Sequence, residues 1–271
     1  MTEISDTFLD LENKNEAALI AYITIGDPDT NKTLKFVNAL IEGGVDIVEL
    51  GIPFSDPIAD GPTIQNAVLR SLTGGSKPVD AFEIASRVRD KHEIPLVAMT
   101  YYNPIFRIGL TRFLRLSREV GISGLIIPDL PIEEAREYKK ECASKEIDTI
   151  FLAAPSTDEA RLKQIAAETS GYLYLVSLYG VTGARNMITQ SVLSLVERCD
   201  KTLPDTLPFA VGFGISKPEE VRRIIQAGAD GVIIGSAFVR IIAANVQNTR
   251  RAEQKLRRLA TILKRATKTH C

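Results

Sequence analysis

The stretch ELGIPFSDPIADGPTIQNA, Glu49–Ala67, decides how this chain folds. It is entered through Asp46, Ile47 and Val48, and together with Leu50 these short, largely β-branched residues read as a strand. Gly51 and Pro53 break it. The loop beyond carries Asp56-Pro57, Asp60 and Gly61-Pro62 before a helix resumes. Strand, loop and helix in that order make one βα unit. Two carboxylates, Glu49 and Asp60, fall at the end of the strand and in the loop that follows it. Parallel α/β proteins bind their ligands at that end of the sheet. Two acids placed there can serve as proton donor and proton acceptor.

The way into this unit recurs along the chain. Glu42-Gly43-Gly44-Val45-Asp46-Ile47-Val48 is matched by Val120-Gly121-Ile122-Ser123-Gly124-Leu125-Ile126-Ile127 and by Ala227-Gly228-Ala229-Asp230-Gly231-Val232-Ile233-Ile234. In each, a helix ends on a glycine, which takes the left-handed cap conformation without steric cost. The apolar run that follows is that of a parallel strand buried on both faces. Eight strands can be placed in this way, near Leu19–Thr24, Ile47–Gly51, Leu96–Tyr101, Gly124–Pro128, Thr149–Ala153, Tyr172–Ser177, Phe209–Gly214 and Val232–Gly235. Amphipathic helical stretches alternate with them, among them Thr33–Leu40, Val79–Arg89, Ile132–Ser144, Glu159–Ala167 and Pro218–Ala227.

Eight βα units in 271 residues predict an α/β fold of the (β/α)₈ TIM-barrel type, with extra terminal helices around Asp6–Asn13 and Ala252–Ala266. The alternative is a doubly wound open sheet. That fold more often has about five to seven strands, and no GxGxxG follows the first strand here. No Gly-, Ser- or Pro-rich linker divides the chain, so one domain is expected over residues 1–271. Two βα connections read as long, Pro53 to about Asn66 and Leu178 to about Gln190, which makes both candidate lids on the ligand face.

Composition excludes several function classes. Formal net charge is −1, with 45% hydrophobic and 25% charged residues, so nothing favours bulk attraction to nucleic acid or an anionic membrane. The basic run near the C-terminus interleaves Arg257, Arg258, Lys264 and Arg265 with Leu256, Leu259, Ile262 and Leu263, the spacing of a docked terminal helix with a solvated face. The opening MTEISDTFLD has no basic-then-apolar run, and no apolar run reaches the ~18 residues of a membrane span. Cys142, Cys199 and Cys271 are far apart, as are His92 and His270, so neither a disulfide framework nor a metal site is expected. Reduced thiols and a cytoplasmic location fit this pattern.

Within the second strand, Ile47 and Glu49 share one face, and Val48 and Leu50 the other. The face toward the helices is dry and would make an unpaired carboxylate costly, so Glu49 is expected to point inward, toward the mouth. Structural pairing with a nearby cation is the other reading. Asp60 in turn could simply cap a turn. The chain's last third suggests a phosphate cradle: Gly212-Phe213-Gly214-Ile215-Ser216 closes the seventh strand, Gly235-Ser236 closes the eighth and opens a helix, and Gly183 lies in the long loop after the sixth. Tight turns without a ligand would also use these glycines. Tyr172 and Tyr174 alternate with Leu173 and Leu175, while Tyr22 and Tyr101 come late in their strands. Together they suggest a flat, partly apolar pocket rimmed by hydroxyls.

These motifs are recognisable as a set. TIGDPD (Thr24–Asp29), ELGIPFSDPIADGPTIQNA, YYNPIF (Tyr101–Phe106), PDLPIEE (Pro128–Glu134), YLVSLYGVTGAR (Tyr174–Arg185), VGFGIS and IIGSAFV follow one another in order and spacing. The chain resembles the tryptophan synthase α-subunit family over nearly its whole length, and departs from some members at Leu178-Tyr179. The resemblance implies a barrel lyase of tryptophan biosynthesis that cleaves indole-3-glycerol phosphate by a retro-aldol reaction to indole and glyceraldehyde 3-phosphate. It implies no cofactor in this chain, with pyridoxal phosphate held by a β subunit in an α2β2 assembly. By motif, Glu49 would be the principal acid–base residue, Asp60 would face the indole N–H, and Tyr174 would line the breaking bond. Tyr22 and Tyr101 would border the substrate. Gly183, Phe213, Gly214, Gly235 and Ser236 would hold the phosphate, and Thr182 would close the lid onto Asp60. Pro53, Asp56, Asn103 and Pro131 would lie toward the partner. Two other readings remain: another phosphosugar-binding barrel enzyme, and a catalytically weak subunit whose main task is to activate a partner.

Overall fold

The computed structural model describes residues 2–176, 190–212 and 214–268. Its strands are β1 (Ala18–Thr24), β2 (Ile47–Gly51), β3 (Leu96–Met99), β4 (Ile122–Ile126), β5 (Asp148–Ile150), β6 (Leu152–Ala153), β7 (Leu173–Val176), β8 (Phe209–Gly212) and β9 (Gly231–Ile234). They form one sheet in the order β5-β4-β3-β2-β1-β9-β8-β7-β6, with every ladder parallel. Phe151 alone separates β5 from β6. The first of these pairs with β4 and the second with β7, so they are two halves of one barrel strand. The sheet thus curls round on itself as the eight-stranded barrel expected. The fifth strand is interrupted where a single run was expected, although the Phe151 carbonyl still accepts the Tyr174 N–H at 3.0 Å.

The helices are α1 (Glu3–Asn13), α2 (Thr30–Glu42), α3 (Pro62–Thr73), α4 (Asp80–Arg89), α5 (Tyr102–Ile108), α6 (Leu110–Glu119), α7 (Arg136–Ala143), α8 (Glu159–Glu168), α9 (Gln190–Thr202), α10 (Pro218–Gln226), α11 (Ser236–Ala243) and α12 (Thr249–Arg265). Asp29, Asp158 and Asn248 start α2, α8 and α12 by accepting N–H groups of their first turns. Pro62 and Pro218 occupy the first position of α3 and α10, where the missing N–H costs nothing. Because α3 begins at Pro62, the connection after β2 is shorter than the Pro53–Asn66 expected. The single helix expected over Ile132–Ser144 is instead a 3₁₀ turn, Ile132–Glu134, followed by α7.

The recurring joint has two working parts. Gly44, Gly121 and Gly228 adopt φ of +95°, +78° and +109°. The acids of the first and third joints then reach the neighbouring strand: Asp46 accepts the Leu19 N–H at 2.7 Å, and Asp230 accepts that of Phe209 at 2.9 Å.

Alternation along the strands separates two cores. Val48, Leu50, Leu19, Leu96 and Leu125 belong to the larger one, between barrel and helices. Ile20, Ile47, Val97, Ile126, Ile150, Tyr172, Ala210 and Ile233 fill the barrel itself. Ile4, Phe8 and Leu11 of α1 join this inner core, so α1 plugs the barrel's N-terminal end. At the other terminus α12 buries Ala252, Leu256, Ala260 and Leu263 and packs on α2, while Lys264 bridges Glu16 and Asp46 at 3.0 and 2.8 Å. Its basic side chains flank a docked helix, as the spacing predicted.

Candidate active site

Glu49 lies on the inner face of β2, in step with Ile47 of the inner core. Its register neighbours are Tyr22 on β1 and Val97 on β3, and it is 0% exposed. Tyr172, whose ring rests against Phe8 of the plug at 5.8 Å between centroids, donates its hydroxyl to Glu49 Oε1 at 2.5 Å. Oε2 is buried with no hydrogen-bond partner among the described residues. Burial pushes the Glu49 carboxyl up to about 7, and the Tyr172 bond opposes this only in part. No cation pairs with Glu49 among the described residues.

Asp60 lies in the loop between β2 and α3 and is half-buried. Tyr101 donates its hydroxyl to Asp60 Oδ2 at 3.1 Å. Burial raises the Asp60 carboxyl to about 6, again against the hydrogen bond. The charge of Asp60 acts on Tyr22, Tyr101 and Tyr174, and that of Glu49 on Tyr22, Tyr172 and Tyr174. Burial first, and these carboxylates second, hold the four phenols well above their ordinary range, so they stay neutral donors. The two acids, Tyr22, Tyr101 and Tyr174 share one locus toward the C-terminal end of the barrel, with Tyr172 deeper, between Glu49 and the plug. At neutral pH Glu49 is divided between its two protonation states, while Asp60 is mostly ionised. That separation suits one to donate a proton and the other to meet a cation.

Glycines on the inner face make room for two of the rings. A Cβ on Gly51 would stand 2.2 Å from the Tyr22 hydroxyl, and one on Gly212 would stand 2.6 Å from that of Tyr174. Neither seat, nor the contact of Tyr172 with Glu49, is visible in the sequence. Glycine within a strand was the available signal for the seats. The i, i+2 spacing of Tyr172 and Tyr174 placed both rings inside but named no partner.

The ends of β8 and β9 are adjacent, since Val211 pairs with Val232. Gly214 has φ +71° and open space at its missing Cβ. Gly235 caps α11 without a side-chain bond, and Ser236 is the first residue of that helix. The N–H groups of this first turn have no acceptor within the helix. The start of α10 differs, because Glu220 already accepts the Ser216 and Lys217 N–H groups at 2.8 and 3.0 Å. Thr182, Gly183, Phe213 and the second lid, with Leu178-Tyr179, lie outside the described residues.

Asp56, Asn103 and Pro131 are exposed on the segments after β2, β3 and β4, whereas Pro53 is buried. Ile58 and Phe106, 81% and 73% exposed, share these segments. Cys142 and Cys199 are buried free thiols, both pushed by burial up to about 12. Among the described residues no group of three His, Cys, Asp or Glu side chains could hold a metal ion, and no helix is long and apolar enough to cross a membrane.

A parallel barrel with two carboxyls of raised pKa and a helix N-terminus at its C-terminal rim has the form of a barrel enzyme suited to acid–base chemistry. Residues 8–268 match the family described as tryptophan synthase alpha chain. A Methanosarcina barkeri protein of that name is 48% identical over 265 residues, covering 98% of each chain. A solved structure from Aquifex aeolicus has a TM-score of 0.89 at 39% identity, covering 99% of this chain and 100% of that one. A chain from the tryptophan synthase α2β2 complex of Pyrococcus furiosus, a complex described as mutually activating, has a TM-score of 0.86 at 43% identity, covering 92% and 98%. The chain belongs to the tryptophan synthase alpha chain family, the lyases that cleave indole-3-glycerol phosphate to indole and glyceraldehyde 3-phosphate.

Proposed function

We propose that Glu49 and Asp60 carry this cleavage between them. The observation that carries the reading is Glu49: a buried carboxyl raised to about 7, with one oxygen held by Tyr172 and the other unpartnered. Indole C3 must gain a proton before its bond to the glycerol carbon can break. Glu49 supplies that proton, and the positive charge that appears on the ring is met by Asp60 at the indole N–H. The Glu49 carboxylate then takes the proton of the hydroxyl on the adjacent carbon. The carbon–carbon bond breaks, its electrons return to the ring, and indole and an aldehyde are released with Glu49 reprotonated. Tyr22 and Tyr174 flank the ring. Backbone N–H groups at Gly214, Gly235 and Ser236, with Gly183 and Phe213, hold the phosphate, and Thr182 closes onto Asp60.

No cofactor is needed in this chain, and pyridoxal phosphate belongs to a β partner. Exposed Ile58 and Phe106, on the same segments as Asp56, Asn103 and Pro131, support a docking surface at that end of the barrel. The assembly proposed is α2β2 and cytoplasmic. An indole-release assay tests the chemistry. Glu49→Gln should lose on the order of 10²-fold or more in turnover while still binding glycerol 3-phosphate. Asp60→Asn should lose turnover with less effect on that binding, because its contact strengthens as the ring becomes cationic. Near-normal turnover in either variant removes that residue from the mechanism.

A further inference from the structure

We propose that Tyr101 is a positioning residue that orients Asp60 and keeps it ionised, acting through the carboxylate rather than on the substrate. This rests on the reading of Asp60 as the group that meets the indole N–H. Tyr101 follows β3 and caps the start of α5 through its backbone. Its ring is 4% exposed and stacks on Phe54, with centroids 5.4 Å apart at 34°. Its hydroxyl accepts the Ala59 N–H at 3.0 Å and donates to Asp60 Oδ2 at 3.1 Å. One side chain just beyond a barrel strand therefore grips three residues of the loop that carries Asp60.

The polarity of this arrangement is fixed. The Ala59 N–H can only donate, so it takes a lone pair of the phenol, and the single phenolic proton is directed at Asp60. That proton favours the carboxylate form, against the burial that favours the neutral acid. With Oδ2 held by Tyr101, Oδ1 has no partner among the described residues and is the oxygen left for the indole N–H. Among the described residues, the ionisable groups facing Asp60 from the surrounding strands are Tyr22 of β1, Tyr101 after β3 and Tyr174 of β7, with Glu49 of β2 acting on Tyr22 and Tyr174. All these phenols are neutral, and among the described residues Tyr101 alone donates to the Asp60 carboxylate. Asp129, which accepts the Tyr102 N–H at 2.9 Å, adds its charge at Tyr101.

Tyr101→Phe keeps the ring stack and removes both hydroxyl bonds. With it, the acid limb of the kcat–pH profile should move up by on the order of one unit, about a tenfold loss on that limb, while the alkaline limb set by Glu49 stays in place. KM and the affinity for glycerol 3-phosphate should change little. In an Asp60→Asn background, Tyr101→Phe should cost nothing further, because the group it acts through is gone. A ring-fluorinated tyrosine at position 101, a stronger donor of the same shape, should move the acid limb down. An unshifted acid limb, or losses that simply add in the double variant, overturn the proposal while leaving the role of Asp60 standing. Normal turnover of Asp60→Asn would instead remove the reading on which the proposal rests.

Discussion

At Glu49 the barrel interior removes water and supplies a single phenolic donor, and burial wins: the carboxyl rises from the usual 4.5 to about 7. The same shift sets a stability cost. Between pH 4.5 and 7 the folded chain holds a proton that the unfolded chain has released, so stability falls as pH rises through that window. The displacement corresponds to about 3 kcal/mol at full ionisation. Glu49→Gln keeps an acceptor for Tyr172 and cannot ionise. It should therefore be more stable than the parent at pH 8 and no different near pH 4, even though its chemistry is lost. Urea denaturation at the two pH values checks this. Equal stability at pH 8 would mean that Glu49 is not held protonated by the fold.

Among the elements, α3 and α11 pack together against the inner face of β1. Tyr22, Ala67 of α3 and Val239 of α11 form one small apolar cluster, with Ile64 and Met99 against it. A bidentate ion pair ties the C-terminal half of α3 to the β1–α2 turn: Arg70 donates to both oxygens of Asp27 at 2.8 Å, and Asp27 is 0% exposed. Ser71 adds a bond to the Ile25 carbonyl at 2.6 Å. Arg70→Met should leave Asp27 buried without its partner and destabilise the chain by up to about 3 kcal/mol, with much of the loss recovered by adding Asp27→Asn. Denaturant midpoints of the single and double variants measure both effects. At the other end of the cluster, a Cβ on Gly235 would lie 3.3 Å from that of Tyr22. Gly235→Val should therefore weaken glycerol 3-phosphate binding by crowding the approach to the N–H groups of α11, while Glu49 keeps its environment. Calorimetric titration gives the answer, and unchanged affinity would place the phosphate elsewhere.

For the whole molecule, α1 plugs the N-terminal end of the barrel, while the segments after β2 and β3 lie at its C-terminal end. Asp60 lies on one of the segments that also present Ile58 and Phe106, so a subunit docked there would touch the loop that carries Asp60. Adding a cognate β subunit should accelerate indole release, and a coupling of about 1–3 kcal/mol corresponds to roughly 5–150-fold in an equilibrium. Turnover measured with and without the partner decides the point. A complex that forms without acceleration would remove the coupling and leave Glu49 and Asp60 as assigned.

What the sequence by itself determined was periodic or local. The glycine-to-strand joints around Gly44, Gly121 and Gly228 and the two-residue alternation at Ile47–Leu50 gave the barrel and the inward face of Glu49, because helix caps and strand pleats depend on residues close in the chain. The GFGIS and GS pieces pointed to the ends of β8 and β9 for the same reason. Only the tertiary structure decided that Tyr172, 123 positions along the chain from Glu49, would be its hydrogen-bond donor, or that Tyr101 would grip Asp60. The same is true of Gly51 and Gly212 as seats for tyrosine rings, and of α1 as the plug beneath them. Curling the sheet into a barrel brings opposite strands within bonding distance across its interior. That juxtaposition, and the burial that raises both carboxyls, arise from the whole chain at once and leave no trace in any one segment.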